Sequence, residues 1–144
     1  MGPRQYSPLT HFGYTQGALY ARIQSLPAML QCIAQRGQGP RGALIAPELI
    51  DEMKKVHSQY GPASPTLSYG LGLLMIHDPR LSRETILGHQ GTAYGNVCGA
   101  FMTEQSQAQM IFLSGGCSEA RDGMLLTANR DMLRWGFEEV ASWK

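Results

Sequence analysis

The sequence has few of the features that mark nucleic-acid-binding, membrane or exported proteins. Its 144 residues carry 12 basic and 11 acidic side chains, for a net charge of +1. The basic residues form neither a block nor a stripe interleaved with aromatic residues, so no nucleic-acid partner is indicated. No apolar run approaches the roughly 20 residues of a membrane span. The residues after Met1 lack the apolar segment of a signal peptide, and the compartment stays open.

Cysteine is scarce and widely spaced. The chain has three cysteines, Cys32, Cys98 and Cys117, and no CxxC pair. Neither a disulfide framework nor a structural zinc site is therefore indicated. Cys32 and Cys98 lie within apolar patterns, which is typical of small core residues. The four histidines form no tight pair with one another or with a cysteine, so we predict no metal and no other cofactor.

The usual signatures of a nucleophilic enzyme are missing as well. No Gly-x-Ser-x-Gly elbow occurs, and no serine is followed by a lysine three residues later. Cys117, beside Gly115-Gly116, is a candidate nucleophile on weak grounds, because a reactive cysteine needs a base that the local sequence does not supply.

What the chain does have is enough apolar sequence for a core, at 43% hydrophobic residues. The length suits a single domain over 1–144, a partial one in view of the resemblance described below. The predicted elements are helices from Ser25 to Gly37 and from Pro47 to His57, strands over Tyr69–Ile76, Val97–Thr103 and Ala108–Leu113, and a last helix over Glu119–Ser142. This order predicts an α+β fold, an antiparallel sheet with helices packed on its faces.

A glycine-rich segment, Gly88–Gly95, lies among the predicted strands and carries His89. Glycine lets a backbone approach another strand or a ligand closely. Exposed backbone N–H groups at a tight corner are what an oxyanion site needs. In one interpretation His89 is a cation or hydrogen-bond donor that faces a cleft from the end of a strand. In the other, it is a surface or hydrogen-bonded histidine in a turn, and the pattern alone leaves both open.

Several short motifs follow one another in a consistent order over roughly residues 10–115. They are Gly17-Ala18-Leu19-Tyr20 before the first helix, Leu44–Met53, Tyr69-Gly70-Leu71-Gly72, Gly88-His89-Gln90-Gly91 with Tyr94-Gly95, and a hairpin ending near Leu113. The ordered set resembles the C-terminal part of the serine β-lactamase-like family. The branch it resembles contains class C β-lactamases, D-alanyl-D-alanine carboxypeptidases and related esterases.

In that family, acyl transfer uses a Ser-x-x-Lys motif, a Tyr-x-Asn-type motif, and a Lys-Thr-Gly or His-x-Gly motif on a strand. Only the third is matched here, by His89-Gln90-Gly91. The resemblance implies that His89 helps to place the substrate and to polarise the acyl-transfer site. It also implies that Gln90 and Gly91 contact the substrate, and that the backbone N–H of Thr92 forms half of an oxyanion hole. Many relatives carry Asn just after the last strand, where this chain has Gly115, so substrate-carboxylate binding does not carry over.

The resemblance implies the C-terminal segment of a serine hydrolase that cleaves an amide, ester or lactam through an acyl-serine. Its substrate would be a small-molecule or peptide-like acyl compound. Without the Ser-x-x-Lys motif, this chain alone is expected to be inactive. The alternative is a non-catalytic binding or assembly module of the same fold. A self-sufficient cysteine or metal hydrolase would need clustering that the sequence does not show.

The family resemblance also predicts a partner. The last strand of such enzymes pairs with strands from the N-terminal part, so Ala108–Leu113 is expected to be an apolar edge with unpaired backbone groups. We therefore expect either self-association through this edge or binding of a complementary N-terminal segment. Relatives are often periplasmic or extracellular and some are cytoplasmic, so localisation stays unassigned.

Overall fold

A six-stranded antiparallel sheet forms the centre of the computed structural model, which describes residues 21–139. The strands are β1 (Gln38–Gly39), β2 (Gly42–Ala43), β3 (Ser58–Gln59), β4 (Leu67–Tyr69), β5 (Leu74–Ile76), β6 (Ile86–Ala93), β7 (Asn96–Thr103), β8 (Gln109–Gly115), β9 (Arg121–Asp122) and β10 (Leu125–Leu126). The α-helices are α1 (Leu26–Ala34), α2 (Pro47–Met53) and α3 (Thr127–Arg134). Strands β3 to β8 lie side by side in chain order, while β1–β2 and β9–β10 form separate two-stranded ribbons. The predicted motif Gly17–Tyr20 and the predicted last helix beyond Glu139 lie outside the described residues.

The longest ladder joins β6 to β7. It confirms the predicted strand Val97–Thr103, whereas β6 is a strand that was not predicted from the sequence. Pairing runs from Ile86↔Thr103 to Ala93↔Asn96. The two residues between the strands, Tyr94 and Gly95, have φ of 56° and 72°. Two successive positive φ values are the signature of a type I′ turn, whose twist matches that of the strands. The predicted hairpin between β7 and β8 is confirmed.

The predicted strand over Tyr69–Ile76 is wrong, because the chain reverses within it. Strand β4 ends at Tyr69 and β5 begins at Leu74, and the two pair antiparallel. The Gly70 N–H donates to the Leu73 carbonyl at 2.9 Å, and Gly72 has φ of +70°. Both arms are buried or half-buried, so a continuous apolar run conceals the turn, and only the two glycines mark it.

The predicted last helix is also wrong at its start. Residues 121–126 form the β9–β10 ribbon, and α3 begins only at Thr127. Gly123 has φ of +61°, and a Cβ there would lie 2.2 Å from Ser64 Oγ. The turn therefore needs glycine both for its conformation and for its close packing on the 61–65 loop. After α3 the chain continues as one π-helical segment, Trp135–Glu139.

The two N-terminal helices are confirmed, with different ends. A 3-10 turn, Ile23–Ser25, precedes α1, so Ser25 does not act as a side-chain cap. The chain turns away from α1 at Gly37, whose N–H donates to the Cys32 carbonyl at 2.7 Å, as in a glycine-terminated helix. Helix α2 ends at Met53, before the predicted His57, because the residues that follow lead into β3.

The core lies on both faces of the sheet. On one face, Leu30 of α1 packs with Met75, Leu87 and Met102. On the other, the fully buried Leu133 of α3 packs in a cluster that includes Ile86 and Phe101, with further members from other strands. The predicted α+β fold, with helices on the faces of an antiparallel sheet, is thereby confirmed. None of the helices within 21–139 is long and apolar enough to cross a membrane.

Candidate functional site

His89 lies inside strand β6 and not in a turn. Strand β5 pairs with β6 only as far as Leu74↔Gly88. Beyond that point, in the described part of the chain, β6 has β7 as its only neighbouring strand. His89 is thus the first residue of an open stretch of strand, and its side chain is exposed. Both interpretations misplace His89, because it lies neither in a turn nor at the end of a strand. It is an exposed, hydrogen-bonded histidine, as the second interpretation held, and its role towards a cleft stays a prediction.

A tyrosine that sequence reasoning did not select contacts His89. Tyr69 Oη lies 3.1 Å from His89 Nε2, and the two rings meet edge-on with centroids 6.0 Å apart. Tyr60 meets Tyr69 in the same way at 5.9 Å. Burial raises the pKa of the Tyr69 phenol, and the nearby Tyr60 raises it further. Tyr69 and His89 are 20 residues apart in the chain, and no local motif connects them.

Gln90 extends to a different part of the molecule from His89, as expected for neighbours on a strand. Its Nε2 donates to the Met124 carbonyl at 2.7 Å, while its Oε1 accepts from Leu126 N–H at 2.9 Å and from Asn129 Nδ2 at 3.3 Å. These bonds attach the β9–β10 ribbon and the first turn of α3 to β6. The structure thus shows a positioning function for this side chain, and its predicted contact with a substrate stays a prediction.

Gly91 and Thr92 occupy the next two positions of β6. A Cβ on Gly91 would lie 2.7 Å from Cys98 Sγ, so a larger residue there would force the Cys98 side chain to move. Thr92 pairs with Val97 across the ladder. Its Oγ1 is buried and has no hydrogen-bond partner among the described groups. The role of its backbone N–H in an oxyanion hole stays a prediction.

A second histidine makes two hydroxyl contacts that sequence reasoning also missed. His77 Nε2 lies 3.0 Å from the Oγ of the buried Ser68, and its Nδ1 lies 3.3 Å from Thr85 Oγ1. Ser68 and His77 border a cavity of about 370 Å³, whose other lining residues include Val56, Tyr60, Pro62 and Leu67. The pair has the spacing of a hydrogen-bonded nucleophile and base, with a hydroxyl group on the second ring nitrogen.

The remaining candidates stay apart. The Cys117 thiol donates to Ser114 Oγ at 2.9 Å. It is half-buried beside a core cluster of Val97, Phe112 and Leu126. It has no histidine partner among the bonds of the described residues. Within 21–139, no three His, Cys, Asp or Glu side chains are grouped so that they could hold a metal ion.

Comparison with known proteins finds a likeness in structure and none in sequence. No protein-family model and no curated protein sequence matches the chain. A D-stereospecific amidohydrolase from Streptomyces sp. is similar in structure, with a TM-score of 0.56 and 20% sequence identity. The match covers 80% of this chain and 29% of the amidohydrolase, so the chain spans well under half of that enzyme's length. At this identity the likeness shows a shared fold, the β-lactamase-like fold.

Proposed function

We propose that this chain forms the His89-bearing wall of an acyl-transfer cleft in a serine hydrolase related to the β-lactamase-like enzymes. The substrate would be an amide, ester or lactam, and the intermediate an acyl-serine. One observation carries the proposal: the chain shares the fold of part of an amidohydrolase and places His89 on the open stretch of β6. The chain has no Ser-x-x-Lys motif, so another segment supplies the nucleophile and its base.

Within this proposal the residues of β6 have different tasks. His89 places the substrate and polarises its acyl group, and Thr92 offers its backbone N–H to the oxyanion. Gly91 brings the backbone close to the acyl group. The side-chain amide of Gln90 binds Met124 and Leu126, and its contact with the substrate stays a prediction. These donors act only when the nucleophile is present, since an oxyanion site works by matching charge that develops in the transition state.

The missing segment has a place to bind in this proposal. Strand β8 is the longer of the two edge strands of the six-stranded sheet, the other being the two-residue β3, and nothing in residues 21–139 pairs with the far side of β8. Leu113 on this strand is 60% exposed. A strand from the complementary segment, or β8 of a second copy, would satisfy the free backbone groups and cover the apolar side chain.

The proposal is tested by intact mass after exposure to a fluorophosphonate or a labelled penicillin. The chain alone is expected to give no adduct. Mixed with the portion of the Streptomyces amidohydrolase that it does not cover, it is expected to restore an adduct on that portion. His89→Gln should then slow the adduct at least ten-fold, an estimate of about 1.4 kcal/mol in the barrier. The matched control His57→Gln changes an exposed histidine elsewhere and should leave the rate unchanged.

One observation favours a second candidate, a nucleophile within the chain itself. Ser68 and His77 already lie at hydrogen-bond distance beside a cavity. A stoichiometric adduct on the chain alone that Ser68→Ala abolishes would show this site and contradict the first proposal. If neither the chain alone nor the chain mixed with the amidohydrolase portion gives an adduct, the alternative of a non-catalytic binding or assembly module is favoured.

A further inference from the structure

We infer that Tyr69 is a positioning residue for His89, and that its hydroxyl decides which ring nitrogen of His89 is available to a ligand. This inference deepens the proposed function and rests on it for its catalytic meaning. Tyr69 belongs to β4 and His89 to β6, on strands separated by β5. The phenol therefore spans the end of β5 to reach the imidazole at the beginning of the open stretch of β6.

Within residues 21–139, one nitrogen of the His89 ring is engaged. Tyr69 Oη lies 3.1 Å from Nε2. Among residues 21–139 no group forms a hydrogen bond with Nδ1. A histidine held through one nitrogen presents the other, and the bond at the first determines whether the second carries a proton. Nδ1 is therefore the atom that His89 offers to a substrate.

Tyr69 is itself held in place, which a positioning residue requires. Its backbone pairs with Ser58 on one side and Leu74 on the other. Its carbonyl accepts the His57 N–H at 2.8 Å. Its half-buried ring packs against the core cluster and against Tyr60. With backbone and ring both fixed, the hydroxyl has little freedom to leave His89.

We assign the donor role in this contact to the phenol. A phenol can donate or accept, but its O–H is a stronger acid than the N–H of a neutral imidazole, and the imine nitrogen is a stronger base than the phenol oxygen. The raised pKa of Tyr69 keeps the phenol neutral, as this role requires. Tyr69 then donates to Nε2, so the neutral imidazole keeps its proton on Nδ1. An Nδ1–H group is a donor that can stabilise negative charge developing on a substrate oxygen.

The test is the protonation state of each His89 ring nitrogen, measured by long-range ¹H–¹⁵N NMR on the full ¹⁵N-labelled chain above the pH of histidine titration. The wild type is expected to show His89 mainly as the Nδ1–H form. Tyr69→Phe removes the hydroxyl and keeps the ring, and the Nδ1–H form should fall to the minority. The matched control Tyr60→Phe removes the neighbouring hydroxyl and should leave the His89 spectrum as in the wild type. A wild-type ring protonated mainly on Nε2, or a tautomer ratio unchanged by Tyr69→Phe, would overturn the inference.

The NMR result does not depend on any activity, so the two proposals can fail separately. If Tyr69→Phe moves the proton but His89→Gln does not slow adduct formation in the complemented mixture, the positioning contact stands and the proposed function is wrong. If His89→Gln slows the adduct but Tyr69→Phe leaves the tautomer unchanged, the proposed function stands and Tyr69 is a packing residue only.

Discussion

Asp78 is a buried carboxylate whose partner lies at the surface. Its side chain is 8% exposed, whereas that of Arg80 is 74% exposed. The Arg80 guanidinium donates to both carboxylate oxygens, and the Arg80 backbone N–H also donates to Asp78 at 3.0 Å. These bonds hold the pKa of Asp78 below its ordinary value, against the opposing effect of burial. The ionised form therefore stabilises the folded chain at neutral pH, and this contribution is lost as the pH falls through the depressed pKa of the folded state.

Asp78→Asn should accordingly lower the free energy of unfolding by about 1–2 kcal/mol at pH 7, a value reduced for the exposure of Arg80. The difference from wild type should shrink as the pH falls through the ordinary carboxyl pKa and below it. Urea unfolding at pH 7 and pH 3 measures both values. Asp51→Asn is the control, because Asp51 pairs with Arg36 at an exposed position and should cost less than about 0.5 kcal/mol. If the difference in unfolding free energy between wild type and Asp78→Asn is larger at pH 3 than at pH 7, the stabilising role of ionised Asp78 is contradicted.

Gly70 tests the turn that divides the expected strand. A Cβ there would lie 1.9 Å from the Met53 carbonyl oxygen at the end of α2. The atoms that this Cβ would meet are backbone atoms, which cannot move without distorting α2. Gly70→Ala should therefore lower the free energy of unfolding by at least about 2 kcal/mol. Gly61→Ala is the matched control, because its Cβ would meet nothing within 4 Å, and it should change stability by less than about 0.5 kcal/mol. Equal denaturation midpoints for the two variants would argue against the tight contact.

At the scale of elements, Gln90 joins the C-terminal ribbon to the sheet. Gln90→Ala would leave the Leu126 N–H and the buried Asn129 amide without their acceptor. A buried donor left unpaired costs about 1–3 kcal/mol. The variant should therefore have a free energy of unfolding lower than that of the wild type by at least about 1 kcal/mol. Hydrogen exchange should show faster exchange at the Leu126 amide. Gln59→Ala, at an exposed position, is the control and should leave exchange at Leu126 unchanged.

The same variant separates two roles for Gln90. A substrate-binding residue would slow acyl-enzyme formation in the complemented mixture without changing stability. A positioning residue would accelerate exchange in β10 and α3 first. If the Leu126 amide of Gln90→Ala exchanges hydrogen at the wild-type rate, the hydrogen bonds of Gln90 contribute little to the stability of the ribbon.

The elements that could be predicted from sequence are those whose signals are local. Helices α1 and α2 and the β7–β8 hairpin follow from apolar spacing and from glycine or proline at their ends. The turn after Tyr69 could not be found this way, because buried residues flank it on both sides. The β9–β10 ribbon did carry a signal, the turn dipeptide Asp122-Gly123, which the helical spacing of the following residues obscured.

The candidate site was predictable only in part, for a related reason. His89 was selected because glycines flank it in sequence. Its contact with Tyr69 joins strands that are not neighbours, and so leaves no pattern within a short window. The engagement of Gln90 with Met124 likewise spans 34 residues. Contacts of this kind depend on the register of the sheet, which local sequence does not specify.

At the scale of the whole molecule, the order of the sheet determines which surface is unsatisfied. Strands β4 to β7 each have two neighbours, whereas in the described chain the short β3 and the seven-residue β8 have one each. A long outer strand with an exposed apolar side chain is a template for pairing with another strand.

The association state of the purified chain tests this last point. We expect sedimentation velocity at micromolar concentration to show a species larger than a monomer. Leu113→Lys places a charge on the exposed edge of β8, where a partner strand would have to bury it, and should shift the chain to monomer. Leu44→Lys is the matched control, because Leu44 is 69% exposed and lies outside β8, so it should sediment as wild type. A wild-type chain that is monodisperse and monomeric would count against self-association, and failure to bind the complementary segment as well would remove the β8 edge as an interface.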